Sequence, residues 1–159
     1  SYSKLYKIKC TGLRFFTVYG PWGRPDMALF SFVNNIFKNK SINVYNKGNH
    51  FRDFTYIDDA IRMTIKVSKS NKFFNTKNYH RILNIGTGNP VPLKKYVNII
   101  ESEIGKKAKI KYLKIQKGDM IKTYACVKKL KSIVDTNKRT RLKKGISNFI
   151  EWYKNYYAI

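Results

Sequence analysis

Hydrophobic positions along the chain switch between strand-like and helix-like spacing, and the switches mark out the elements. Residues 10–19 ("CTGLRFFTVY") read as a strand bounded by Gly12 and Gly20–Pro21, with Leu13–Phe16 as a buried run. Asp26 is placed to N-cap a helix from Met27 to about Lys38, in which Leu29, Phe30, Val33, Ile36 and Phe37 form one stripe. "SINVY" (41–45) and "DFTYI" (53–57) are short strands separated by a turn holding Gly48. Asp58 and Asp59 open a helix to about Ser68, where their charge suits its N-terminus. The polar, Asn-rich stretch 69–80 predicts a loop, and "RILNI" (81–85) a buried-type strand. Pro90 or Pro92 starts a helix whose face is Leu93, Tyr96, Val97, Ile100 and Ile104, and Gly105 ends it. "IKYLKI" (110–115) alternates with period two, so one face should be wet. A short helix over about Val127–Val134 follows. The last helix begins after Thr140 and carries Leu142, Ile146, Phe149, Ile150, Tyr153 and Tyr157 on one face.

Strands and helices alternate throughout, which predicts an α/β fold. No internal repeat is visible. Only two long strands look buried, around 13–19 and 81–86, and two parallel strands have no independent core. That shortage, and an opening without Met, predict part of a larger fold.

Composition sharpens this only in places. With 159 residues, 43% hydrophobic and 15% aromatic, the chain is globular rather than disordered. No apolar run reaches the roughly 18–20 residues of a membrane span. The two cysteines, Cys10 and Cys126, have no metal-ligand spacing and read as reduced thiols of a cytoplasmic protein. The net charge of +24 points toward nucleic acid or an anionic surface. Yet only seven of the 33 basic residues are arginines, and the lysines are scattered without a compact block. Compositional drift toward Lys, Asn, Ile, Tyr and Phe explains the charge better than selection for nucleic acid.

Four stretches are candidates for chemistry. "TVYGPWGRPD" (17–26) follows a strand end, the place where open α/β sheets bind ligands. A rigid Pro/Gly loop there could fix Thr17 and Arg24, and arginine suits a bidentate carboxylate or phosphate contact. A plain tight turn with a solvated Arg24 accounts for the pattern equally well. In "HFRDFTYIDD" (50–59), Arg52 is either a phosphate ligand or, more economically, half of a surface pair with Asp53. "NIGTGNP" (84–90) lacks the third glycine of a dinucleotide fingerprint because Val91 stands there, so it reads as a structural turn. "YACVK" (124–128) has the Tyr-x-x-x-Lys spacing, but among 12 tyrosines and 26 lysines such a match is expected by chance. His50 and His80 have no carboxylate or thiol at ligand spacing, so no metal site is proposed.

Taken in order, "GLRFFTVYGPWGRPDMALF", "INVYNKG", "RDFTYIDD", "LNIGTGNPV", "QKGD", "TYA…KL" and "T-x-L-x-x-G-I" before "WY" resemble the nucleotide-sugar epimerases. These are extended short-chain dehydrogenases/reductases of the NAD-dependent epimerase/dehydratase family. The similarity is greatest to their UDP-glucuronate 4-epimerase branch and runs from about Tyr2 to Tyr157.

The resemblance implies the C-terminal part of a Rossmann-type fold with a small substrate-binding domain and an incomplete parallel sheet. Residues 1–25 would end the Rossmann core, 26–57 would be a substrate-domain insertion, 58–89 a return to the core, and 90–159 the C-terminal substrate domain. The family's glycine-rich NAD loop and catalytic Tyr-x-x-x-Lys would both lie upstream of residue 1. No catalytic residue is therefore assigned here, and Tyr124/Lys128 is a coincidence. In the family, NAD takes a hydride from C4 of the sugar while the Tyr takes the O4 proton, and the turned-over 4-keto sugar receives the hydride on its other face.

Carried over residue by residue, Thr17 and Arg24 would lie near the sugar carboxylate and Phe15 near the nicotinamide. Ala28, Leu29 and Phe30, with Asn43, Val44 and Tyr45, would border the uracil. Arg52 would pair with the diphosphate and Asp119 would bind the ribose hydroxyls. The implied partners are a UDP-sugar substrate, a separate N-terminal half, and, as often in the family, a second copy. Nucleic acid is disfavoured.

The chain departs from the family at Ala125–Cys126, where relatives carry an Ala-Asp pair, and around Asp135–Arg139, which lacks a Gly-Phe turn. The parent reaction would convert UDP-glucuronate to UDP-galacturonate, with this chain alone inactive. The alternatives are a related nucleotide-sugar dehydratase or decarboxylase, a basic nucleic-acid-binding module, and a gene remnant that does not fold alone.

Overall fold

In the computed structural model, which describes residues 1–74 and 79–159, the first apolar run is not one strand but two. β1 (Cys10–Phe15) pairs in parallel with β6 (His80–Ile85), whereas β2 (Thr17–Tyr19) pairs in parallel with β5 (Phe54–Tyr56). The change of partner falls at Phe16. Its N–H donates to the Ile85 carbonyl at 3.1 Å, and the next N–H, of Thr17, donates to the Asp53 carbonyl at 3.2 Å. Apolar content alone does not encode such a hand-over, because Phe15, Phe16 and Val18 are apolar on either side of it.

A first helix, α1 (Tyr2–Tyr6), precedes β1. α2 (Ala28–Phe37) buries Leu29, Phe30, Phe32, Val33 and Ile36. Its N-cap is Met27 and not Asp26, whose carboxylate is engaged by Arg24 instead. β3 (Ser41–Tyr45) pairs in parallel with β8 (Lys109–Leu113), and β4 (Phe51–Arg52) pairs antiparallel with β7 (Val91–Pro92). Asp53 therefore stands between two strands rather than inside the expected 53–57 strand. α3 (Ile57–Ser68) keeps Asp58 and Asp59 in its first turn. α4 (Leu93–Ile104) starts after Pro92 and ends at Gly105, whose φ of 76° is the left-handed geometry of a helix stop. α5 is shorter than expected (Lys128–Lys131), because two N–H groups, of Ile133 and Val134, turn back onto the Leu130 carbonyl and carry Val134 into the core. α6 (Leu142–Tyr157) buries Ile146, Phe149, Ile150 and Tyr153, while Tyr157 stays exposed. The middle of the expected 69–80 loop, residues 75–78, lies outside the described residues.

Two apolar cores result. The larger joins α2, α4 and α6 to β3 and β5 through Val33, Ile36, Ile42, Tyr96, Ile100 and Phe149, with Phe54 and Tyr96 stacked at 4.0 Å between ring centres. The smaller joins α3, β6 and the 125–134 segment through Met63, Val67, Leu83, Ile85, Ala125, Leu130 and Val134. Buried Arg81 borders it, donating from Nε to Thr11 Oγ1 at 2.8 Å and from Nη2 to the Val67 carbonyl at 2.8 Å.

Three expectations of burial fail for one physical reason. In β1 no residue is fully buried and Phe15 is half exposed; in β6 Ile82 is exposed; and β8 is exposed along most of its length, on both faces. None of these exposed residues belongs to either apolar cluster, so no packed layer covers them and they meet water.

Candidate functional site

The loop after β2 is shaped by backbone need. Gly20 has φ of 142°, and a Cβ there would lie 2.6 Å from Ile57 Cγ2, so only glycine fits. The Gly23 N–H closes a turn onto the Gly20 carbonyl at 3.2 Å, and Trp22 is pinned against Trp152 and Tyr156 on α6. The loop thus hangs off the larger core and overhangs a cavity.

That cavity has a volume of about 410 Å³, within the usual range for a small-molecule site. It is walled by Thr17, Arg24, Ala28, Leu29, Phe30, Asn43, Tyr45, Arg52 and Asp119, nine of the residues singled out in the sequence. They come from β2, its loop, the start of α2, β3, β4 and the 114–127 segment. Two singled-out residues do not wall it. Val44 is buried in the larger core, as the alternation of β3 requires, and Phe15 stands at the open end of β1.

Charge at the cavity is organised as pairs. Arg24 grips Asp26 with both arms, Nε to Oδ1 at 3.0 Å and Nη2 to Oδ2 at 2.5 Å. This guanidinium contact holds the Asp26 carboxyl below its ordinary range. Both side chains are largely exposed, so the pair can be exchanged for a competing anion at small cost. Arg52 does not pair with its neighbour Asp53. Its Nη2 meets Asp119 Oδ1 at 2.7 Å, and its Nη1 donates to the carbonyls of Phe51 and Ile121. Tyr19 and Tyr96 form the buried floor, and burial pushes both phenols far above their ordinary values, so both remain neutral hydroxyls.

Asp53 has a different task. It is fully buried, and its carboxylate accepts from Thr87 N (2.7 Å), Thr87 Oγ1 (2.6 Å), Gly88 N (2.8 Å) and Ala125 N (3.0 Å). The Thr87 and Gly88 amides of "NIGTGNP" are thereby spent on a side chain, as a structural turn requires. A Cβ on Gly86 would come within 2.4 Å of the Ala125 Cβ, so this turn and the 125 segment are in direct contact. Tyr124 lies in irregular chain ahead of Val127, the N-cap of α5, so Tyr124 and Lys128 do not share a helix.

The sequence reading missed His50, a buried cavity residue whose Nε2 faces Asp119 Oδ2 at 3.4 Å. Its carboxylate partner is 69 positions away, and a search by ligand spacing does not reach that far.

The α/β fold, with its cavity past the carboxyl end of β2, fits a family match: this chain belongs to the NAD dependent epimerase/dehydratase family, whose model matches residues 1–86. Among individual proteins, it is 43% identical to Protein CapI of Staphylococcus aureus, over 99% of this chain and 51% of that protein. It is 38% identical to a probable UDP-glucuronate 4-epimerase of Rhizobium meliloti, over 99% of this chain and 50% of that one. The fold superposes with a TM-score of 0.88 on the UDP-glucuronic acid 4-epimerase of Bacillus cereus, solved in complex with UDP-glucuronic acid and NAD, at 30% identity over 98% of this chain and 48% of that structure. The chain spans about half the length of the curated relatives it matches.

Proposed function

We propose that this chain is the substrate-gripping portion of a UDP-glucuronate 4-epimerase-like enzyme, whose whole form interconverts UDP-glucuronate and UDP-galacturonate at C4. The observation that carries the proposal is the convergence of Arg24, Arg52, Asp119 and Thr17 on one cavity with an apolar shelf from Ala28–Phe30. A guanidinium is the group suited to a diphosphate or a carboxylate, and two of them at one cavity suit a ligand with both. In this reading Arg52 takes the diphosphate, Asp119 the ribose hydroxyls, and the α2 start with Asn43 and Tyr45 the uracil. Thr17 and Arg24 take the sugar carboxylate, which must displace Asp26 from Arg24.

The residues described do not build a cradle for the NAD pyrophosphate. Two amides of the glycine turn, of Thr87 and Gly88, already serve Asp53, and Phe15 lies away from the cavity. NAD belongs to the whole enzyme's reaction, and Phe15 is the position assigned here to its nicotinamide. Residues 1–25 and 58–89 are read as core, and 26–57 and 90–159 as substrate domain. The open face of β1 and β6 suits an N-terminal half as partner. No helix among the described residues is long and apolar enough to cross a membrane, and a cytoplasmic setting is part of this same proposal.

Incubation of the chain with UDP-glucuronate and NAD is the test of its role. The expected result is no UDP-galacturonate from the chain alone and turnover on adding a relative's N-terminal half. Turnover by the chain alone overturns the division of labour.

A further inference from the structure

His50 enters the cavity from the residue before β4, anchored by its carbonyl, which accepts from Leu93 N at 2.8 Å. The imidazole is 3% exposed, and its Nε2 is buried without a completed hydrogen bond. Asp119 Oδ2 lies 3.4 Å from it, just beyond ordinary hydrogen-bond length. Buried polar atoms are nearly always satisfied, so an imidazole held just short of a carboxylate calls for an explanation.

The other oxygen of Asp119 supplies one. Oδ1 accepts from Arg52 Nη2 at 2.7 Å, so the carboxylate is held by Arg52 and only approached by His50. On the nucleotide-sugar reading, from which this inference follows, an arriving diphosphate competes for Arg52 and repels the Asp119 carboxylate. Without a second holder, Asp119 would swing away from the ligand just when the ribose arrives.

We infer that His50 is a positioning residue of the nucleotide site: it takes over Asp119 as the diphosphate draws Arg52 away. Nε2–H donates to Oδ2, the 3.4 Å gap closes, and the carboxylate stays where a ribose diol can donate to it. His50 acts through Asp119 and touches no reacting atom.

The test uses the full chain with UDP and 2′,3′-dideoxy-UDP as probes, followed by calorimetry. Wild type should prefer UDP. His50→Leu should weaken UDP about tenfold relative to the dideoxy nucleotide, collapsing the preference, the scale of one lost hydrogen bond. His50→Gln, whose amide also donates, should restore it. Equal weakening of both nucleotides, or no change in His50→Leu, overturns the inference. Should His50→Leu fail to fold, the wild-type chain labelled with ¹⁵N-histidine decides: UDP must move the His50 Nε2 resonance, and an unmoved resonance overturns the inference. Failure of the wild type to bind either nucleotide defeats the nucleotide reading itself. Binding of both with equal affinity spares that reading but removes Asp119 from the ribose, and the role of His50 with it.

Discussion

In the larger core, Val33, Ile100, Ile146 and Phe149 are withdrawn from water completely, and aromatic rings from β2, α2, α4 and α6 interlock. On the paired strands β1 and β6, the face that carries Gly12 and Ile82 remains wet: Ile82 is 39% exposed, while Leu83 and Ile85 on the opposite face are buried. The difference is not one of composition, since both regions are rich in Phe, Ile and Leu. It lies in coverage. Three helices close over the first region, whereas the second has α3 and the 125–134 segment on one face only. A strand's alternation says which residues share a face, and neighbouring elements decide whether that face is dry.

The sharpest way to probe the contrast is to remove the keystone of the closed region. Phe149→Ala should destabilise by about 3–5 kcal/mol, read as a large fall in the urea midpoint. A loss under about 1 kcal/mol would mean that the lobe is loosely packed. Asp53→Ala comes next. It leaves three amides and a hydroxyl of the 87–125 junction without their acceptor and should cost about 2–3 kcal/mol. Asp53→Asn should recover only part, since its amide nitrogen cannot accept. The smallest effect is expected on the open face. Ile82→Thr, on the face shared with Gly12, should change stability by no more than about 0.5 kcal/mol while reducing self-association in sedimentation velocity. A large loss of stability there would show that the face is covered in solution.

The same contrast explains what the sequence could disclose. The helical stripes of α2, α4 and α6 were legible because 3.6-residue spacing is a local signal, and the Gly105 stop because it needs a left-handed residue. The break between β1 and β2 was not, because apolar residues run through Phe16, where the chain changes strand partner. At the cavity, nine lining residues were picked out through a family resemblance carried by motifs, chiefly in the 12–30 block, and not through chemistry visible in isolation. Arg52 illustrates the limit. Its adjacent carboxylate, Asp53, looked like its partner, yet the structure turns Asp53 inward to the glycine turn and brings Asp119 from 67 positions away. Asp26 failed as a helix cap for a related reason: a nearby guanidinium outcompeted the helix amides for its carboxylate. His50 escaped notice because its only informative neighbour is distant in sequence.

The central claim, that this chain grips a nucleotide sugar, is tested most directly by calorimetric titration of the chain and its Arg52→Ala variant with UDP-glucuronate. Saturable one-to-one binding by the wild type, weakened at least about tenfold in Arg52→Ala through loss of a charge-assisted contact, is the predicted result. No binding by the wild type, or binding unaffected by the loss of Arg52, would contradict it.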